Sequence, residues 1–326
     1  MLSSPVLAPE SPAPASEVTL SARALVENVE RVVRGKPAVV ELAVVTVLAG
    51  GHLLLEDVPG VGKTLLAKAL ARSFGGEVSR VQGAPDLLPA DLTGSGVYAP
   101  DRQAFVFVPG PLFAHVVLVD EVNRATPRTQ AALLEAMEEG QVTVDGVTHP
   151  LPSPHVVIAT QNPLEQHGTF PLPESQLDRF TATVSMGYPT AADEVAIVRA
   201  QLRGSPLADL EPVLSTTQLA GLRAGVREVE VADDALGYAI RLVDATRSAP
   251  GVVLGASPRA AVQLVAAAQA RAALHGRAHV LPDDVKRLAV PVLAHRLLVA
   301  RDAAGAVPDR RALVGVLLSR VPVMAA

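Results

Sequence analysis

Three short apolar runs punctuate the first half of the chain: His52-Leu53-Leu54-Leu55-Glu56, Val116-Val117-Leu118-Val119 and Val156-Val157-Ile158-Ala159-Thr160. Each run is continuous rather than alternating, and helical-period stretches lie between them. Such runs predict parallel strands buried on both faces, with helices as the crossovers. Each also ends in polar residues: a glycine-containing turn after Glu56, then Asp120-Glu121, then Gln161-Asn162. In open α/β sheets ligands bind outside the carboxyl ends of the strands, so those ends are where chemistry is expected.

Around this alternation the pattern changes in three places. Leu25, Val29, Val32 and Val33 fall at helical spacing, so a helix is predicted from about Thr19 to the Arg34-Gly35-Lys36-Pro37 break, and a second over about 38–49. Val142 and Val144 alternate into Asp145-Gly146 and on to Val147, a two-residue hairpin signal; a less regular hairpin is read over 94–110. After Pro189 strand patterns stop and helix starts become legible. Thr190 and Asp193 are spaced for a capping box, Ser257-Pro258 supplies a cap and a first-turn proline, and Pro282-Asp283-Asp284 places acids at the positive end of a helix dipole. The expected organisation is a disordered Ser/Pro/Ala-rich tail over 1–18, an α/β core over 19–189 and an all-α lid over 190–326.

Composition narrows the function classes. The 326 residues carry 28 basic and 33 acidic side chains, a net charge of −5, so a dominant polyanion-binding surface is not expected. Aromatic residues make up 3% of the chain and there is no tryptophan, which argues against stacking platforms for single-stranded nucleic acid. With no cysteine, disulfides, thiolate metal sites and cysteine nucleophiles are excluded. The longest apolar stretch, Ala38 to Gly51, is interrupted by Glu41 and falls short of the about 20 residues a membrane span needs. No signal-peptide pattern is read at the N-terminus, and a cytoplasmic location is expected.

The strongest chemical signal is Pro59-Gly60-Val61-Gly62-Lys63-Thr64, followed by Leu65, between a strand and a helix. Backbone N–H groups of such a loop hold a β-phosphate, the lysine reaches β/γ oxygens, and the threonine hydroxyl ligates Mg²⁺. The full pattern places glycine where this chain has Asp57, a departure read as minor. Asp120 and Glu121 close a buried run, where two carboxylates are costly without a cation. The expectation is that Asp120 holds Mg²⁺ and Glu121 activates the attacking water. Asn162 can bond both the γ-phosphate and that water. Arg179 and Arg259 are the candidate γ-phosphate arginines, suited to charge spread over phosphoryl oxygens. His275 and His279 are spaced for one helix face, but no third metal ligand is evident; His52 and His115 read as packing or surface residues.

Together these features resemble an AAA+ ATPase, and the wording is similar to the MoxR family. The segments that carry the resemblance are Leu54-Leu-Glu-Asp-Val-Pro-Gly-Val-Gly-Lys-Thr64, Pro85-Asp-Leu-Leu-Pro89, Gly110-Pro-Leu-Phe113, Asp120-Glu-Val-Asn-Arg124, Leu133-Leu-Glu-Ala-Met-Glu138, Ala159-Thr-Gln-Asn-Pro163 and Leu172-Pro-Glu-Ser-Gln-Leu-Asp-Arg-Phe180. The resemblance implies Walker A at Lys63 and Thr64, Walker B at Asp120 and Glu121, sensor 1 at Asn162, sensor 2 at Arg259 and an arginine finger at Arg179 that acts on a neighbouring subunit. It also implies a helix-2 insert at 94–110, a pre-sensor-1 hairpin at 140–150 and a ring, expected to be a hexamer. ATP and Mg²⁺ are the implied ligands; a von Willebrand A domain protein and a protein client are the implied partners. Val33-Arg34-Gly35-Lys36-Pro37 departs from the family's Val-Gly-Gln near the adenine. A magnesium-chelatase-type motor subunit and a nucleotide-gated scaffold with little turnover are the alternatives.

Overall fold

The computed structural model describes residues 15–57, 60–162, 168–301 and 308–324. Helices α1 (Ala15–Glu30) and α2 (Pro37–Leu48) precede an alternating region. It runs β1 (Leu53–Glu56), α3 (Lys63–Ser73), β2 (Val78–Gln82), α4 (Pro89–Thr93), the ribbon β3 (Gly94–Ala99) and β4 (Ala104–Pro109), β5 (Val116–Asp120) and α5 (Pro127–Glu139). A second ribbon, β6 (Gln141–Val144) and β7 (Val147–Pro150), leads to β8 (Val156–Gln161), α6 (Glu174–Leu177) and β9 (Ala182–Val184). The remainder is α7 (Ala191–Arg203), α8 (Thr216–Arg227), α9 (Asp233–Ser248), β10 (Val252–Leu254), α10 (Pro258–Leu274), α11 (Pro282–Leu293), β11 (Leu298–Val299) and α12 (Arg310–Arg320).

The five-stranded sheet has the order β2-β5-β8-β1-β9, and every pairing within it is parallel. The three runs read from the sequence are its central strands. Because side chains alternate across a strand, the sheet divides its apolar residues between two layers. Leu53, Leu55, Val116, Leu118, Val156 and Ile158 pack toward α1–α3 and the C-terminal helices. Leu54, Val117, Val119, Val157 and Ala159 pack on the opposite face with Leu133, Leu134 and Phe180. Register aligns the functional ends: Glu56 pairs with Gln161, and Val119 with Ala159, so β1, β5 and β8 finish side by side.

The structure corrects several sequence expectations. The helix predicted from Thr19 begins at Ala15, and Val18 is buried against the core, so the tail reading fails over 15–18; residues 1–14 lie outside the described residues. Strands do not stop at Pro189, since β10 and β11 form a short antiparallel pair beside the C-terminal helices. The 94–110 stretch is a regular antiparallel ribbon of six paired positions. It meets the second ribbon where Phe107 stacks on His149 with ring centroids 3.9 Å apart. Strands β2 and β9 were not anticipated.

The predicted helix starts are present. The Thr190 hydroxyl accepts from the Asp193 N–H at 3.2 Å, Ser257 accepts from the Ala260 N–H at 3.2 Å, and Asp284 accepts from the Leu281 N–H at 2.9 Å. The C-terminal helices pack on the N-terminal ones: the Thr19 hydroxyl donates to the Ala273 carbonyl at 2.9 Å, and Arg223 Nε donates to the Val47 carbonyl at 2.8 Å. Among the described residues no helix is long and apolar enough to cross a membrane.

Candidate active site

The phosphate loop leaves β1 and enters α3 through Gly62, whose φ of +100° is strained for any residue with a Cβ. The turn brings the first turn of α3 to the edge of a cleft of about 430 Å³. Lys63, Thr64, Asp120, Glu121 and Asn162 all line it, together with Gly60, Gly62 and Leu65. Val61 lines the adjoining apolar cleft instead, and Pro59 lies outside the described residues. The cleft sits where β1, β5 and β8 end, as the polar ends of the three runs led one to expect.

Its charged groups are held by partners that the sequence did not announce. Lys63 Nζ donates to the Asp57 carbonyl at 3.1 Å. Asp120 Oδ2 accepts from Arg80 Nε at 2.7 Å, and its Oδ1 accepts from the Thr160 hydroxyl at 3.4 Å. Glu121 stands at φ +55°, a left-handed position uncommon for a glutamate, and its N–H donates to Thr160 Oγ1 at 2.9 Å. Its Oε2 accepts from Gln82 Nε2 at 2.9 Å and from Arg124 Nη1 at 3.0 Å. The end of β2 comes this close because residue 83 is glycine: a Cβ there would stand 2.1 Å from the Glu121 carbonyl oxygen.

Arg179 and Arg259 stand elsewhere. They share one carboxylate, Glu138, with Arg179 Nη2 3.2 Å from Oε2 and Arg259 Nη2 in close contact with Oε1. The pair lines a separate cleft of about 270 Å³ with Gly51, His52 and Thr181. A part-buried ionic joint fixes the two segments that carry them. Asp178 accepts from the Ser257 hydroxyl at 2.9 Å and from Arg296 Nη1 at 2.7 Å, and Arg296 also donates to the Phe180 carbonyl at 2.7 Å. His52 belongs to the packing around that cleft. Its Nδ1 accepts from the Val157 N–H at 2.9 Å, its Nε2 faces the Met137 carbonyl at 3.1 Å, and burial pushes its pKa down to about 3. The ring is therefore neutral and structural. His275 approaches Glu41 at 3.3 Å, and no group of three metal-ligating side chains gathers among the described residues.

A sequence model described as "ATPase family associated with various cellular activities (AAA)" matches residues 52–182, and one described as "AAA lid domain" matches 244–313. The chain is 46% identical over 298 residues to the Bacillus subtilis protein YeaC, covering 91% of this chain and 93% of that one. It is 41% identical to a Mycobacterium tuberculosis protein named chaperone MoxR1, covering 89% and 78%. It belongs to the MoxR family of AAA+ ATPases. A crystal structure of a Cytophaga hutchinsonii protein assigned as an ATPase superposes with a TM-score of 0.87 at 34% identity, covering 96% of this chain and 98% of that one.

In this MoxR-type fold the sequence located the phosphate loop and the three strand ends. It did not locate Arg80, Gln82, Arg124, Thr160 or Glu138. Only Arg124 carried a local sign, three residues after Glu121 and able to return to it within one turn. The others are brought in by strand pairing and helix packing across 39 or more residues, which no local pattern encodes.

Proposed function

We propose that this MoxR-type chain hydrolyses ATP, that copies of it assemble in a ring, expected to be hexameric, and that the ring remodels or matures protein complexes. The working parts are a core over 19–189, corrected to begin at Ala15, and a lid over 190–326. The observation that carries the reading is the meeting of Lys63, Thr64, Asp120, Glu121 and Asn162 at one cleft, with two arginines held together at another. Backbone N–H groups over 60–65 and Lys63 receive the phosphates, with Pro59 opening the loop. Thr64 and Asp120 offer the hard oxygen donors that suit Mg²⁺; when bound, that ion neutralises charge on the β and γ oxygens. Glu121 takes the proton of the attacking water, and Asn162 orients that water against the γ-phosphate.

Arg179 and Arg259 do not line the phosphate-loop cleft of their own chain. They are proposed to serve the nucleotide of a neighbouring copy, where two planar cations meet charge that grows in the transition state. Remodelling of a protein client, with a von Willebrand A domain protein as partner, extends the chaperone name of the mycobacterial relative to this chain.

Mixing tests the shared site. Arg179→Ala and Lys63→Ala are each expected to be inactive alone. In mixed rings, the intact Arg179 of a Lys63→Ala copy serves a neighbour whose phosphate loop is intact, so partial ATPase activity returns. Mixed rings confirmed by mass with no activity at any ratio would place Arg179 outside the shared site and refute this part of the reading.

A further inference from the structure

The phosphate-loop pattern calls for glycine at position 57, and this chain has aspartate. Asp57 is 6% exposed. A carboxylate buried beside a loop that receives a triphosphate puts like charge close to the ligand, which is unfavourable unless the carboxylate is oriented and compensated elsewhere. The structure provides that compensation. Asp57 Oδ2 accepts from the Ser185 hydroxyl at 3.2 Å, from the Gly187 N–H at 3.0 Å and, in close contact, from the Met186 N–H. These three donors belong to the connection between β9 and α7, the passage from the sheet into the C-terminal helices.

The main chain of the same residue faces the other way. Its N–H donates to the Gln161 carbonyl at 3.1 Å, extending the β1–β8 ladder, and its carbonyl accepts from Lys63. The side chain thus ties 185–187 to the phosphate loop through a single residue. Beyond the tie, Met186 and Tyr188 wall an apolar cleft of about 440 Å³, opposite Val33, Val61 and Leu65. Lys36 Nζ clasps the Tyr188 carbonyl at 2.8 Å from the facing side. The cleft adjoins the phosphate loop and shares Gly60, Gly62, Leu65 and Leu207 with the phosphate cleft.

We propose that Asp57 is a positioning residue for the base end of the nucleotide: its carboxylate holds the Met186–Tyr188 backbone as the wall on which the base packs, so that base and triphosphate bind in a fixed relation. The inference rests on the nucleotide-binding reading above. It differs from a purely structural role for Asp57 because a general loosening of the phosphate loop would weaken all phosphate ligands alike, whereas a displaced base wall weakens only ligands that have a base.

The test compares two ligands on the full chain by calorimetry: ATP with Mg²⁺, and inorganic triphosphate with Mg²⁺. Asp57→Asn keeps the size and removes the charge that three donors address. Hydrogen bonds to charged groups are the strong ones, so ATP affinity is expected to fall about tenfold, while triphosphate affinity stays within about twofold. Ser185→Ala removes one donor from the opposite side and should give the same split in smaller size, which keeps the test available if Asp57→Asn does not fold. Lys63→Ala is the control and should weaken both ligands. Equal loss of both ligands in Asp57→Asn and Ser185→Ala, or no loss of either, overturns the proposal. Wild-type chain that binds neither ligand would instead refute the nucleotide-binding reading itself.

Discussion

Glu121 occupies a left-handed backbone position and is gripped by Gln82 and Arg124. Both contacts orient a carboxylate at the cleft; the Arg124 contact is an ion pair, but the strand end itself is also held by the Glu121 N–H to Thr160 Oγ1, which the side-chain charge does not affect. Glu121→Gln should therefore still bind ATP but turn over about 10²-fold more slowly or worse, the scale of a lost general base. Calorimetry for binding and phosphate release for turnover check this, and hydrolysis at the wild-type rate would remove Glu121 from that role. Glu121 was legible because it closes a buried apolar run, where two adjacent acids have no structural excuse. Asn162 was legible because it follows another such run, and Lys63 because of the Gly60-Val61-Gly62-Lys63-Thr64 pattern between a strand and a helix. Glu138 was not: its meaning comes from two arginines that lie 41 and 121 positions further along the chain. No periodicity or cap marks such a residue.

Elements were legible in proportion to their burial. β5 and β8 are buried along almost their whole length and showed as unbroken apolar runs. In β2 only Val81 is buried, so Val78-Ser79-Arg80-Val81-Gln82 carries too little pattern to declare an edge strand. The start of α1 was hidden for another reason. Val18 and Ala22 pack against helices that come much later, and the serine- and proline-rich composition upstream masks the first turn. This gives a stability prediction. A chain beginning at Ala15 keeps every described contact of α1. Removal through Glu30 strips Val18, Leu25 and Val29 from the core. At about 1.5–3 kcal/mol for each fully buried side chain, an upper estimate, the loss is roughly 4.5–9 kcal/mol. Whole domains are stable by only about 5–15 kcal/mol. The longer truncation is expected to lose its cooperative melt by circular dichroism; a melting temperature within a few degrees of the full chain would show that α1 is dispensable.

At the scale of the whole molecule, one continuous apolar cluster runs from α1 through α2, α3 and one face of the sheet into α8, α9, α10, α11 and α12. The Asp178–Ser257–Arg296 joint adds a part-buried ionic tie between the segments that carry Arg179 and Arg259, with the Arg296 side chain only 1% exposed. Two sequence-family matches cover this chain in separate blocks, yet the packing does not separate there. Thermal unfolding by scanning calorimetry is therefore expected as a single transition whose calorimetric and van't Hoff enthalpies agree. Two resolved peaks would mean that the sheet and the C-terminal helices melt as independent units. The Thr19–Ala273 hydrogen bond, made across 254 positions, also sets a schedule for biosynthesis. At roughly 5–20 residues per second, a ribosome needs about 13–50 s between those two residues. Throughout that interval the nascent first helix can meet α2 and α3, and Asn28 can reach the Ser73 hydroxyl, but the part of its apolar stripe that faces α10 has no native surface to lie on. The surface that completes the packing of α1 is therefore made late, and this contact forms only after residue 273 has been synthesised.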